Sequence, residues 1–370
     1  MDPKNRKAST APVGAKSGTT TRTLPKALLH EHLDGGLRPQ TLLDLCRARG
    51  LEVPAADAAS LARWMHDNAN AGSLELYLRG FALTCAAMAT PEACERVAFE
   101  AAEDAYEDGC VLAEFRMAPL LLEPLGMQAE AVMEAFLAGL ARSRLRCGLI
   151  VCGMRPDDPA KTLRSARLAA RYRDQGVVGF DLAGAELGFR ASVHAEAFDA
   201  ARDAGLGLTC HAGEAGGGDN VMEALELGVS RIGHGINIMR GSPQETAGWI
   251  ERAREHGLHF EVCPSSNVHT GAVRRLEEHP IGRMLESGLS VSCNTDNRLM
   301  SGVKLSDELA VIHDRTGLTW EQVRELTTSA VEASFMPPEA RTAASEEMAH
   351  AWASFAGGAA GAGRASSPNT

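Results

Sequence analysis

The stretch KALLHEHL, residues 26–33, decides how the rest of the chain is read. A short apolar run leads straight into His30-Glu31-His32, and the alternation of an extended strand puts both imidazoles on one face and Glu31 on the other. Seven more short apolar or β-branched runs follow: VLAEFRM (111–117), CGLIVCG (147–153), VVGFDLA (177–183), GLTCHA (207–212), SRIGH (230–234), LHFEVC (258–263) and LSVSCNT (289–295). Helical patterns separate most of them. Two of these, Pro91 to Asp108 and Pro159 to Asp174, carry Pro in the first turn, where a missing N–H costs the helix nothing. Strand and helix alternating through eight strands predict an α/β fold, a (β/α)8 TIM barrel, with extra helices inserted after the first strand at about residues 37–110. Within that insertion Ser73 to Met88 places Leu74, Tyr77, Leu78 and Phe81 on one helical face, to serve either as a lid or as packing against the barrel.

Composition narrows the function classes. With 37 basic against 48 acidic side chains the net charge is -11, the opposite of what phosphate-backbone binding requires, so no nucleic-acid partner is expected. No run approaches the roughly 18 apolar residues of a membrane span. Nine cysteines at irregular positions, with no CxxC pair, read as reduced thiols and point to the cytoplasm. Residues 1–23 lack the apolar stretch of a signal peptide and, like the Gly/Ala/Ser-rich residues 357–370, are expected to be disordered tails flanking one barrel domain over 24–356.

The residues able to carry chemistry gather at the downstream ends of the expected strands: His30 and His32 on the first, His211 and Glu214 on the fifth, His234 on the sixth, Asp296 on the eighth. In such a barrel these ends share one face, the face that bears the active site. Three histidines and one aspartate, His30, His32, His211 and Asp296, form a nitrogen and oxygen donor set suited to one zinc ion.

These residues sit in segments that resemble the adenosine deaminase family: LHEHLDGGLRP (29–39), GSLELYLRGF (72–81), Glu114-x-Arg116-x-x-Pro119, HAGE (211–214), GHGI (233–236), CPSSN (263–267) and CNTDNRLMSG (293–302). The TDNRLMS form and the Ala-, Arg- and Gly-rich composition are most similar to the actinobacterial branch. The resemblance implies zinc-dependent hydrolytic removal of the 6-amino group of adenosine or 2'-deoxyadenosine. In it Glu214 is the proton donor to N1, and His234 orients the attacking water-derived oxygen and helps move its proton. His32 and Asp34 face the substrate, Asp34 at the ribose, while Gly184 brings its backbone to the purine and Asn297, where the family often has Asp, faces N7. Unlike a carboxylate, the amide of Asn297 donates a hydrogen bond at any pH. Asp34 also suits a turn cap before Gly35-Gly36. Glu261 is expected to accept from a site histidine or to pair with an arginine. Leu120, Leu121 and Leu122 stand where the family is more polar, which leaves other 6-aminopurine substrates open: adenine, aminodeoxyfutalosine or a modified nucleotide.

Three rivals are weighed against this. A two-metal amidohydrolase needs a bridging lysine after the fourth strand, and DLAG (181–184) has none. A cytidine-type deaminase needs PCxxC, which Cys263-Pro264-Ser265-Ser266 does not supply. A nucleoside binder that has lost catalysis has no use for Glu214.

Overall fold

The computed structural model describes residues 21–70 and 74–362, apart from the side chains of residues 74–79 and 354–362. Eight strands run parallel and pair in chain order: β1 (Lys26–His32), β2 (Cys110–Met117), β3 (Arg146–Met154), β4 (Val177–Ala183), β5 (Gly207–Ala212), β6 (Arg231–His234), β7 (His259–Val262) and β8 (Ser290–Cys293). The last returns to the first through a parallel bridge between Glu31 and Asp296. There the His32 N–H donates to the Asp296 carbonyl and the Asp296 N–H to the His30 carbonyl, both at 2.9 Å. Beside it, where the β1 register shifts, the side-chain oxygen of Asn294 accepts from the backbone N–H of Leu29 (2.8 Å) and His30 (3.2 Å). The eighth run therefore stops being a regular strand at Cys293, shorter than its sequence suggests, because Asn294 and Asp296 take over the closure of a (β/α)8 barrel.

Helix starts follow local chemistry. The hydroxyl of Thr90 accepts from the Ala93 N–H ahead of helix Pro91–Glu107, and the carboxylate of Asp158 accepts from the Ala160 N–H ahead of helix Pro159–Arg171. The latter ends before the expected Asp174, which lies instead in a 3-10 turn, Arg173–Gln175. The insertion after β1 holds helices Pro39–Ala48, Ala58–Ala69 and Leu74–Met88 ahead of Pro91–Glu107. Of the residues expected on one face of Ser73 to Met88, the side chains of Leu74, Tyr77 and Leu78 lie outside the described residues, whereas Phe81 is half-buried. His66 ties the insertion to the site rim: its Nδ1 is 3.2 Å from the Met300 carbonyl beyond β8, and its ring meets that of His269, beyond β7, edge-on at 5.0 Å.

Both expected tail boundaries move. Residues 21–23 form a helical turn with Thr21 buried, and the final helix, Pro338–Ala362, continues through the alanine-rich start of the segment read as a tail from 357. Alanine favours helix more than any other residue, so composition that looks simple is still compatible with a regular turn. Residues 1–20 and 363–370 lie outside the described residues. Among the described residues no helix is long and apolar enough to cross a membrane, and all nine cysteines are unpaired.

The outward faces of the strands are apolar and pack on the helices, as Phe115, Val151, Phe180 and Phe260 do. The lower interior is charged. Arg116 donates to Asp181 (3.0 Å) and Glu261 (2.6 Å), while Arg231 donates to Glu261 and Glu114 (2.5 Å each), and all five side chains are essentially inaccessible. Taking each ion out of water costs several kcal/mol, a cost offset here because every charge meets an opposite one with good hydrogen-bond geometry. Arg231→Met would leave Glu114 and Glu261 each short of a cation. It is expected to lower the unfolding free energy by about 3–5 kcal/mol, read from urea denaturation of the variant beside the parent chain.

Candidate active site and metal centre

At the C-terminal rim the ends of β1, β5 and β6 and the closing segment after β8 bring four imidazoles and one carboxylate together. Ligand atoms held at about 2.0–2.1 Å around a tetrahedral zinc lie roughly 3.3 Å from one another. The Nε2 atoms of His32 and His211 are 3.2 Å apart, and Asp296 Oδ1 is 3.5 Å from the Nε2 of both His30 and His32. A looser grouping, all within 4.8 Å, joins His30, His211 and Asp296 to His234 instead of His32. The shorter edges favour His32 as the fourth donor. His234 is engaged elsewhere, its Nδ1 3.0 Å from Asn267 Nδ2 and its Nε2 3.6 Å from Glu214 Oε2.

The ring nitrogens are prepared for a cation by what lies beneath them. His30 Nδ1 faces Glu261 Oε2 at 2.9 Å, and His211 Nδ1 faces Asp181 Oδ2 at 3.0 Å. Burial raises the pKa of both carboxyls, but the opposing charges outweigh it: Arg116 and Arg231 hold Glu261 well below the usual range, and His211 and Arg116 hold Asp181 low. As anions they can only accept, so each Nδ1 carries the proton and, in the neutral ring, each Nε2 presents a lone pair to the centre; burial disfavours a charged His211, but Asp181 outweighs it and raises the His211 pKa. Burial, then Arg116, also keeps the His30 pKa low and its ring neutral. Its Nε2 is buried and makes no hydrogen bond, a cost relieved by a metal ion. Both readings of Glu261 hold at once: it serves the site histidine and two arginines.

Two of the rim residues adopt left-handed backbone, His234 (φ 63°) and Asp296 (φ 59°), a conformation costly for residues other than glycine. At Gly233 a side chain would press on two rings of the cluster. A β-carbon there would stand 3.0 Å from His30 Cε1 and 3.2 Å from His211 Cγ.

The residues expected on the substrate side surround this cluster. Asp34 is buried in the 3-10 turn after β1, its Oδ1 has no hydrogen-bond partner, and burial lifts its carboxyl pKa to about 7. Gly184 follows β4 with φ 94°, a conformation that only glycine adopts without strain. Asn297 donates from Nδ2 to Asp296 Oδ1 at 2.8 Å, and an ionised Asp there would stand against the Asp296 carboxylate. Of the three leucines, Leu120 and Leu122 turn into the main core. Leu121 alone joins Ala118, Cys152, Met154 and Ala183, a small apolar patch against Gly184.

Sequence reading missed the residues that hold the loops. Glu186 accepts from four successive backbone N–H groups, Gly213 (2.6 Å), Glu214 (3.1 Å), Ala215 (2.9 Å) and Gly216 (2.8 Å), and from Asn220 Nδ2 (2.9 Å). Burial opposes its ionisation, yet these donors hold its pKa below the ordinary value. Arg155, also buried, donates to the carbonyls of His211 (2.5 Å) and Phe189 (3.0 Å). Ser266 donates to Asp296 Oδ2 at 2.6 Å, and Asn267 and Thr270 donate to Glu214 Oε1 at 3.2 and 2.8 Å. The signal for Glu186 was present in the glycine-rich run HAGEAGGG, whose bare backbone donors require an acceptor from elsewhere.

Comparison with known proteins places this geometry in context. The family model described as adenosine deaminase matches residues 25–351. A curated adenosine deaminase of Mycobacterium avium is 41% identical over 348 residues, covering 88% of this chain and 94% of its own. Among solved structures, an Arabidopsis N6-mAMP deaminase superposes with TM-score 0.79 at 25% identity, covering 90% of this chain and 99% of its own. A zinc-bound amidohydrolase from Burkholderia ambifaria superposes with TM-score 0.81 at 22% identity, covering 95% and 97%, and bears on the fold alone.

Removing the acceptor of the 213–216 loop gives a local test of this site. Glu186→Ala leaves four N–H groups unpaired, and amide hydrogen exchange at residues 213–216 is expected to quicken by on the order of ten- to a hundredfold, while amides of β2 and β3 keep their protection.

Proposed function

Because the chain belongs to the adenosine deaminase family, in its actinobacterial branch, we propose that His30, His32, His211 and Asp296 hold one zinc ion and that Glu214 and His234 work beside it. The chain is a hydrolase acting on a cyclic amidine: it removes the 6-amino group of adenosine, giving inosine and ammonia. The observation that carries the residue assignment is the position of Glu214 Oε2 and His234 Nε2, 3.6 Å apart at the edge of the His/Asp cluster. A nucleoside-binding protein without catalysis would have no use for that pair.

When bound, zinc supplies Lewis acidity that lowers the pKa of a coordinated water from about 15.7 toward about 7. The other tasks fall to side chains. Addition of the water oxygen at C6 breaks the aromatic ring and puts electron density on N1, where Glu214 delivers a proton. His234 donates from Nε2 toward the adding oxygen and orients it. The C6–N6 bond then breaks: the Glu214 carboxylate passes the proton of the new hydroxyl to the amino group, which leaves as ammonia, the ring regains conjugation as inosine with its proton on N1, and the proton the water gave up on adding to C6 restores Glu214.

Substrate binding is read from the rim. The unpartnered Oδ1 of Asp34 receives a ribose hydroxyl, the backbone at Gly184 lies against the purine edge, and the Asn297 amide faces N7. His32 contributes its ring edge next to the metal. 2'-Deoxyadenosine is a second substrate on this reading, and nine unpaired thiols fit a reducing cytoplasm. One feature favours a wider range. The apolar patch of Leu121, Met154 and Ala183 beside Gly184 would tolerate a less polar or substituted 6-aminopurine.

A substrate panel tests this reading: zinc-loaded protein offered adenosine, 2'-deoxyadenosine, adenine and N6-methyl-AMP, with ammonia release measured for each. Adenosine is expected to lead; turnover of another member without adenosine would overturn the substrate assignment. Glu214→Gln should lower kcat by about 10²–10⁴-fold with KM nearly unchanged, the size of a lost general acid. Separately, Asp181→Asn removes the anion under His211 and should weaken zinc binding about 10–100-fold, measured by chelator competition without any assay of activity.

A further inference from the structure

One buried chain of hydrogen bonds has its direction fixed by a backbone amide. The N–H of Ile281 donates to His279 Nδ1 at 3.2 Å, and a backbone N–H can only donate. His279 is buried, and burial, then Arg240 and His234, pushes its pKa down to about 3, so it is neutral. With Nδ1 accepting, its proton sits on Nε2, which faces Asn267 Oδ1 at 3.2 Å. That sets the amide of Asn267, a fully buried residue, with oxygen toward His279 and nitrogen toward the site. The two N–H bonds of Nδ2 then reach His234 Nδ1 at 3.0 Å and Glu214 Oε1 at 3.2 Å. Facing a donor, His234 Nδ1 must accept. Its proton is therefore on Nε2, the nitrogen turned toward Glu214 Oε2. Glu214 Oε1 already accepts from both Asn267 and Thr270, so any proton on this carboxyl belongs on Oε2.

We propose that Asn267, oriented by His279, is a positioning residue that fixes His234 as its neutral Nε2–H tautomer and reserves Oε2 of Glu214 for the transferable proton. The inference rests on the reading of Glu214 and His234 given above. It carries a mechanistic consequence: His234 enters the reaction as a hydrogen-bond donor to the adding oxygen and has no free lone pair with which to take its proton.

Asn267→Asp is the diagnostic substitution, because it keeps shape and reverses polarity. A carboxylate accepts from His279 as the amide oxygen did, but it turns His234 Nδ1 into the donor and strips the proton from Nε2. The direct readout is the ring-nitrogen spectrum of protein labelled with ¹⁵N-histidine, the His234 signals identified by their loss in His234→Gln. The parent chain is expected to show a pyrrole-type Nε2 and an imine-type Nδ1, Asn267→Asp the reverse. The variant's kcat should fall by on the order of 10²–10⁴-fold, the scale of a histidine held in the wrong tautomer, with KM moved only a few-fold and zinc content unchanged. Thr270→Val, which removes a donor from Glu214 alone, should leave the His234 tautomer as in the parent. A parent spectrum with the proton on Nδ1, or an Asn267→Asp enzyme with parental kcat, overturns the proposal. Because the spectrum of the parent chain needs no catalysis, an Nε2–H signal for His234 in protein that fails to deaminate adenosine would uphold the tautomer while the functional reading fell.

Discussion

The carboxylate of Glu261 is the point on which the rest of the molecule leans. Lying at the centre of the barrel with no exposure, it accepts from Arg116, Arg231, Thr209 and His30 at once. Below, the arginines extend the network to Asp181 and Glu114, so that a polar interior takes the place of the layered apolar side chains typical of this fold. Above, the same anion sets the tautomer of His30, and Asp181 sets that of His211. Stability of the barrel and basicity of the histidine cage thus share one set of charges. A buried ion network of this kind adds little net stability over apolar packing, but it imposes one arrangement, since any other leaves a charge without its partner.

Closure of the barrel and assembly of the site are also one event. Asp296 pairs with β1 through its backbone and faces His30 and His32 through its side chain, in a left-handed conformation that regular strand pairing would not allow. Ser266 and Asn297 hold its two oxygens from either side. Strain at Asp296 and at His234 is thereby maintained by groups that would lose their own partners if it relaxed.

Loops supply the remaining order. Glu186 gathers the N–H groups of 213–216 and so determines where Glu214 begins, and the Ile281–His279–Asn267 series determines how its side chain ends. None of these residues needs to touch a substrate to matter. Their effect is to remove alternatives of rotamer, tautomer and protonated oxygen before a ligand arrives, which is the physical content of preorganisation.

By itself the sequence determined the barrel, through the spacing of eight apolar runs, and the cluster His30, His32, His211 and Asp296, through residue types at strand ends; both signals are local, because strand alternation and helix starts are decided within a few residues. It also marked Glu214, His234, Asp34, Gly184 and Asn297 through resemblance. The strand ends it read correctly to within one residue except at the end of β8, which stops two residues early where a side chain from Asn294 replaces backbone pairing. What only the tertiary structure decided were relations across long separations. Leu121 alone turns toward Gly184 while its neighbours enter the core, Glu261 serves a histidine and two arginines together, and Asn267 and His279 govern atoms in other loops. Such relations depend on which buried donors and acceptors meet after the chain has closed, and hydrogen-bond polarity inside a core is a property of the whole connected network rather than of any segment of it.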